Sequence, residues 1–157
     1  NFTRSFAVRL NNLCKMQVKE ARDGERLLPG NAYIAPGDKH LEIVRHGADY
    51  RVSLNSGALV SGHKPAVDVM FQSLAKVAGI NTVATILTGM GKDGAQGLLA
   101  LKQAGAITMA QNEESCVVYG MPKAALDIGA TESLYSIDKM SIALSKAVEK
   151  ISKGTRL

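Results

Sequence analysis

An α/β fold, doubly wound around a mainly parallel sheet that carries one antiparallel β-hairpin, is predicted by three features of this sequence. The second half alternates short apolar strands with amphipathic helical stretches, the order that builds parallel sheets covered by helices. Apolar and polar residues alternate on both sides of His46-Gly47-Ala48-Asp49, as expected of two strands joined by a tight turn. The chain has 157 residues, 46% apolar and 21% charged, a size and balance that suit one packed core.

From the N-terminus, Phe2, Phe6, Leu10 and Leu13 recur at helical spacing with Arg4, Arg9 and Lys15 between them, which predicts an amphipathic helix over residues 2–16. Residues 18–21 read as a short strand, Asp23-Gly24 as a turn, and residues 32–35 as a buried strand stopped by Pro36-Gly37. Leu41, Ile43 and Val44 before the tight turn, and Tyr50, Val52 and Leu54 after it, make the hairpin over residues 40–54. Residues 55–65 are rich in Ser and Gly without periodicity and form a loop. Val67, Met70, Phe71, Leu74 and Val77 define a helix over residues 67–78, whose Met and Phe side chains belong to the core rather than to a cofactor. Strands at 82–88, 107–110 and 134–137 then alternate with helices at 94–104, 122–128 and 141–152. No repeat, low-complexity segment or linker divides the chain, so residues 1–157 read as a single domain.

Several function classes are disfavoured. The apolar runs fall far short of the ~20 residues that span a bilayer, so no membrane insertion is expected. The opening lacks an initiator Met, a charged n-region and an apolar stretch before a cleavage site, and reads as part of a longer protein without a signal peptide. Cys14 and Cys116 stand apart and form no CxxC or Cys/His cluster, which argues against a zinc site or a disulfide framework and fits a reducing cytoplasm. The net charge of +5 comes from scattered basic residues, with only three Phe, four Tyr and no Trp to stack on bases. An acidic partner suits this surface better than nucleic acid.

The most informative stretch is Ile86-Leu87-Thr88-Gly89-Met90-Gly91-Lys92-Asp93-Gly94-Ala95-Gln96-Gly97, a strand running through a glycine-rich turn into a helix. Three readings compete. In the first, the glycines make a tight turn and Asp93 caps the following helix, with Gln96 completing a capping box. In the second, Gly89 to Gly94 satisfies GxGxxG and forms a non-catalytic nucleotide-binding module, with Glu113 or Glu114 near the distance of a ribose contact. That reading is awkward, because Asp93 would bring a carboxylate to the helix end where a pyrophosphate should sit. A Walker A loop fails because Asp93, not Ser or Thr, follows Lys92. In the third, Asp93 lies just past the carboxyl end of a strand and accepts a hydrogen bond from an imidazole N–H, orienting a histidine that deprotonates a serine. Capping and orientation are compatible, since each carboxylate oxygen can serve one of them.

The run LTGMGKDGAQGLLALKQAGAITMAQNEESCVVYGMPKAA resembles the signature region of the chemotaxis protein-glutamate methylesterases, the CheB family. FTRSFAVRLN, VKEARDGERLLPGNAYIAPGDKHLEI and HKPAVDVMFQSLA extend the resemblance collinearly over almost the whole chain. It implies the C-terminal part of an esterase domain, with the first strand and helix and an upstream receiver domain absent. It also implies that Asp93 is the third member of a Ser-His-Asp triad whose serine, in a Gly-Ala-Ser-Thr-Gly-Gly-like loop, and histidine, in a His-Met-Pro stretch, lie upstream of Asn1. A piece of this kind would be inactive alone and would expose a sheet edge, giving marginal solubility or self-association.

The family hydrolyses γ-glutamyl methyl esters and deamidates glutamines on chemoreceptors, so the resemblance implies no metal or organic cofactor and a partner in the methylated cytoplasmic region of a receptor. Backbone N–H groups of the turn, at Met90 and Gly91, are candidates to hold the oxyanion. His63, in the Ser- and Gly-rich loop, is a candidate to contact substrate. His40 and His46 lie at hairpin ends, where solvated side chains are expected. Cys116, beside Ser115 near a predicted helix start, would pair with His63 only in a cysteine hydrolase, and a small buried apolar role is the simpler reading.

Overall fold

The structure is a computed structural model that describes residues 2–154. Helix α1 (Phe2–Leu13) leads into β1 (Gln17–Glu20), which pairs in parallel with β2 (Asn31–Ile34). Strands β3 (His40–His46) and β4 (Asp49–Asn55) form the antiparallel hairpin, with His46 opposite Asp49. Its two-residue turn places Gly47 first, at φ 59°, a conformation that glycine adopts without steric cost. The chain continues through α2 (Val67–Val77), β5 (Val83–Ile86), α3 (Ala95–Gln103), β6 (Ile107–Gln111), α4 (Met121–Asp127), β7 (Leu134–Tyr135) and α5 (Ile137–Gly154). Strands β5, β6 and β7 are parallel and adjacent in that order. The expected α/β architecture is therefore present, but among the described residues its strands fall into three ladders rather than one continuous sheet.

The two-residue period of the strands sorts their side chains between two helical layers. Ala84 and Ile86 of β5 pack with Phe71 of α2, Leu98 and Leu101 of α3 and Ala125 of α4. Val83 of β5, with Ile107 and Met109 of β6, turns the other way onto Met140, Ala143 and Ala147 of α5. Helices thus cover both faces, as a doubly wound sheet requires. Leu98 and Leu101 are completely buried, each contributing about 1.5–3 kcal/mol of hydrophobic stabilisation. Helix α2 joins this core to the hairpin: its Met70 and Leu74 pack against Ile86-side residues and also against Leu41, Ile43 and Val52.

The N-terminal helix departs from the sequence-based expectation. It stops at Leu13, and its apolar stripe of Phe2, Phe6 and Leu13 is exposed, the two phenyl rings stacking on each other with centroids 5.9 Å apart. The inward face is small and polar instead. Ala7 is buried, the Thr3 hydroxyl donates to Glu20 Oε2 at 2.6 Å, and Asn11 Oδ1 accepts from the Val18 N–H at 2.8 Å. No helix among the described residues is long and apolar enough to cross a membrane.

Candidate functional site

The carboxyl ends of β5 and β6 open into two loops, residues 87–94 and 112–120, which carry Met90, Gly91 and Asp93 in the first and Cys116 in the second. The loops are joined by a bridge between Gly89 and Tyr119, by Gly89 N–H donating to the Val118 carbonyl at 3.1 Å, and by Met121 N–H donating to the Gly89 carbonyl at 2.8 Å. Ligand sites in open α/β sheets lie beyond strand ends of this kind.

Asp93 is buried, and the helix it caps is not the one that follows it. Its Oδ2 accepts the N–H of Val67 at 2.8 Å and its Oδ1 accepts the N–H of Asp68 at 3.0 Å. The residue at the N-cap of α2 is Ala66, which has no side-chain acceptor, so a carboxylate 26 residues beyond Val67 supplies the cap. The cap position of α3 belongs to Gly94, at φ 92°, with no side-chain hydrogen bond. The expected capping box of Asp93 with Gln96 is therefore not formed. Gly94 leaves no room for a cap side chain, since an added Cβ would lie 2.9 Å from Val67 Cγ1.

Asp68, not singled out from sequence, and His40, expected from sequence to be solvated, complete this knot. Asp68, in the first turn of α2, accepts the N–H of Gly97 in α3 at 2.7 Å, while the turn leading into α3 supplies Asp93 to the start of α2. His40 is buried, contrary to the solvated position expected for it, and lies at the start of β3 where the strand enters the core. Its Nδ1 accepts the Ala66 N–H at 3.2 Å, which places its proton on Nε2, 2.8 Å from the Ala58 carbonyl it donates to. Three consecutive amides at the start of α2 are thereby satisfied by His40 and Asp93. With both ring nitrogens used, His40 is not the imidazole that Asp93 orients. Each Asp93 oxygen accepts one N–H and retains a second lone pair for a further donor.

Among the described residues the glycine turn presents several unengaged backbone donors, those of Lys92, Asp93 and Gly94 among them. Met90 and Gly91 are exposed, and among the described residues their backbone N–H groups donate to no protein acceptor. His63 is exposed in the loop that ends at α2, pairing by backbone with Val60. His46 is exposed, as expected. Cys116 does not start a helix: it follows the short 3-10 turn Glu113–Ser115, while α4 begins at Met121. Burial pushes the Cys116 thiol above its ordinary range, aided by the Glu113 carboxylate and opposed by a hydrogen bond to Thr88, which argues against a reactive thiolate. Among the described residues no group of three or more His, Cys, Asp or Glu side chains could hold a metal. A dinucleotide phosphate at α3 would meet the Asp68 carboxylate already bound to the Gly97 amide.

This arrangement is an α/β fold whose candidate site lies beyond the carboxyl ends of parallel strands, where an anchored carboxylate adjoins a turn with free amides. The sequence matches the model of the family described as CheB methylesterase over residues 1–144, and the chain belongs to that family. It is 56% identical over 156 residues to a Pseudomonas aeruginosa protein named protein-glutamate methylesterase/protein-glutamine glutaminase 2, covering 99% of this chain and 45% of that protein. A Photorhabdus laumondii protein-glutamate methylesterase/protein-glutamine glutaminase is 58% identical over 98% of this chain and 43% of its own length. The chain thus spans under half the length of these curated relatives. The crystal structure of the Thermotoga maritima CheB methylesterase catalytic domain superposes with a TM-score of 0.89 at 38% identity, covering 95% of this chain and 77% of that one.

Proposed function

We propose that this chain is the C-terminal part of the catalytic domain of a chemotaxis protein-glutamate methylesterase and glutamine deamidase, with Asp93 as the carboxylate of a Ser-His-Asp triad. The observation that carries the reading is the Asp93 carboxylate itself. Two backbone N–H groups fix it at a strand end, and its remaining lone pairs can take an imidazole N–H. The serine and histidine belong to the stretch preceding Asn1, as the family resemblance implies. There the histidine takes the serine proton while the serine oxygen attacks the side-chain carbonyl of a γ-glutamyl methyl ester or a glutamine. The tetrahedral intermediate collapses as the histidine returns that proton to the departing methanol or ammonia, and water then releases glutamate from the acyl-enzyme. The free N–H groups of Met90 and Gly91 are assigned to the oxyanion.

His63 is assigned to substrate contact, because its loop runs directly into the α2 amides that Asp93 holds. The reaction uses neither metal nor organic cofactor. The substrate is the methylated cytoplasmic region of a chemoreceptor, the compartment is the cytoplasm, and a receiver domain precedes the esterase domain. The decisive experiment reads the coding sequence ahead of the Asn1 codon and assays the complete gene product for methanol release from methylated receptor. A His-Met-Pro stretch and a Gly-x-Ser loop are expected there. Asp93→Asn is expected to lower kcat by roughly 10⁴, as loss of the triad carboxylate does in serine proteases. An upstream sequence lacking both residues, or an Asp93→Asn protein with undiminished kcat, would remove the reading.

A further inference from the structure

We propose that Gln111 is a positioning residue for the oxyanion turn, holding Met90 and Gly91 in place through a strap that runs to the start of α5. The inference rests on the esterase reading above and names a residue that acts behind it. Gln111 ends β6 with its side chain only 2% exposed, and both ends of its amide are used. Its Oε1 accepts the Thr88 N–H at 2.8 Å, while its Nε2 donates to the Ser115 carbonyl at 2.8 Å and to Ser115 Oγ at 3.2 Å. Ser115 Oγ in turn donates to Asn112 Oδ1 at 2.7 Å and accepts the N–H of Ile137, the first residue of α5, at 3.1 Å.

The other side of the turn is held as tightly. The Thr88 hydroxyl donates to the Val118 carbonyl at 3.1 Å and accepts the Val118 N–H at 2.9 Å. Gly120 backs directly onto the turn: a Cβ there would stand 2.7 Å from the Gly89 carbonyl oxygen and 3.1 Å from the Gly91 nitrogen. Thr88 and Gly89 are therefore pinned by side-chain and backbone bonds while the next two amides stay free. That combination is what an oxyanion site needs, since donors that are fixed before the reaction stabilise developing charge without reorganising. A carboxamide is suited to the buried position because it accepts from Thr88 at one end and donates to Ser115 at the other. Glutamate lacks the donor, and methionine lacks both.

The test uses the complete gene product carrying Gln111→Met or Gln111→Glu, with Thr88→Val and Ser115→Ala cutting the same strap elsewhere. Initial rates on a methyl ester are divided by the folded fraction from circular dichroism. The expected result is a fall in kcat of about 10- to 100-fold for Gln111→Met with KM within about two-fold, because the lost interaction acts on the transition state. Thr88→Val should act in the same direction, and the double variant should lose less than the product of the two effects. A merely structural role would lower the melting temperature and leave kcat per folded molecule unchanged, and that result, or a change confined to KM, overturns the inference. If Gln111→Met does not fold, Thr88→Val and Ser115→Ala decide by the same criteria. No ester hydrolysis by the unsubstituted protein would overturn the esterase reading and this inference with it, whereas unchanged kcat in the variants overturns this inference alone.

Discussion

Replacing Asp93 by alanine removes two hydrogen bonds from the start of α2 as well as any role in catalysis, so its effect on stability can be worked out separately. The Asp68 amide is buried and loses its acceptor outright; the Val67 amide is partly buried and can recruit water. Loss of a helix cap costs about 1 kcal/mol, and a buried donor left unpaired costs about 1–3 kcal/mol. The sum for Asp93→Ala is about 2–4 kcal/mol. At roughly 2–4 °C per kcal/mol for a protein of this size, the melting temperature should fall by about 5–15 °C. Asp93→Asn keeps one acceptor and turns an NH2 group toward the other N–H, so it should lie between alanine and the unsubstituted protein. Chemical and thermal denaturation, followed by circular dichroism, give both values. A change within ~0.5 kcal/mol for Asp93→Ala, the range of ordinary surface substitutions, would refute the assignment of this carboxylate to the α2 terminus.

Gly97→Ala places a Cβ 2.6 Å from Phe71 Cβ and 3.1 Å from Asp68 Oδ1, so overpacking of about 1–3 kcal/mol should exceed the ~0.5–1 kcal/mol that alanine contributes in a helix; a higher denaturation midpoint would show that α2 and α3 are less closely packed. Burial raises the Cys116 thiol pKa in the folded state, so the stability linked to the protonated thiol is fully present below the ordinary thiol pKa of about 8.5 and is lost as pH rises through the raised value. Alkylation mapped by mass spectrometry should accordingly label exposed Cys14 first at pH 8, and preferential labelling of Cys116 would contradict it. Titration with NAD or ATP should show no saturable binding to the 89–94 loop, because the Asp68 carboxylate occupies the Gly97 amide; saturable binding abolished by a Lys92 substitution would revive the nucleotide reading.

Much of the fold was legible because it is written in local periodicities. The hairpin declared itself through alternation around Gly47-Ala48, and β5 and β6 through short apolar runs between amphipathic helices. The failures occur where a long-range partner decides. The stripe of Phe2, Phe6 and Leu13 has the spacing of a buried helix face, yet Thr3, Ala7 and Asn11 make the contacts with β1 and the loop after β2. The position of His40 at a hairpin end suggested solvent, but the Ala58 carbonyl and the Ala66 amide that enclose it arrive from 18 and 26 residues away. The glycine-rich turn pointed to Asp93 as a candidate helix cap, but not to the helix it caps, because sequence rules look for the helix that follows a cap residue. The absence of any acceptor at Ala66, the N-cap of α2, is the one local sign that another part of the chain must supply it.

That displaced cap bears on how the site is held. An aspartate capping its own helix would move with α3 alone. Here Asp93, at the end of the glycine turn, grips α2, and Asp68 of α2 grips α3, so the two helices and the turn form a closed circuit of charge-assisted hydrogen bonds. Gly97 allows the helices to approach closely enough to complete it, and His40 extends it into the hairpin through the adjacent amide. In the proposed role of Asp93, a carboxylate orienting an imidazole would benefit from this arrangement, because a shift of about 1 Å in a catalytic group can cost roughly 10² in rate. The circuit also means that substitutions at Asp68 or Gly97 should reach the Asp93 carboxylate without touching substrate. Activity lost by such variants beyond their loss of folded protein would measure that transmission.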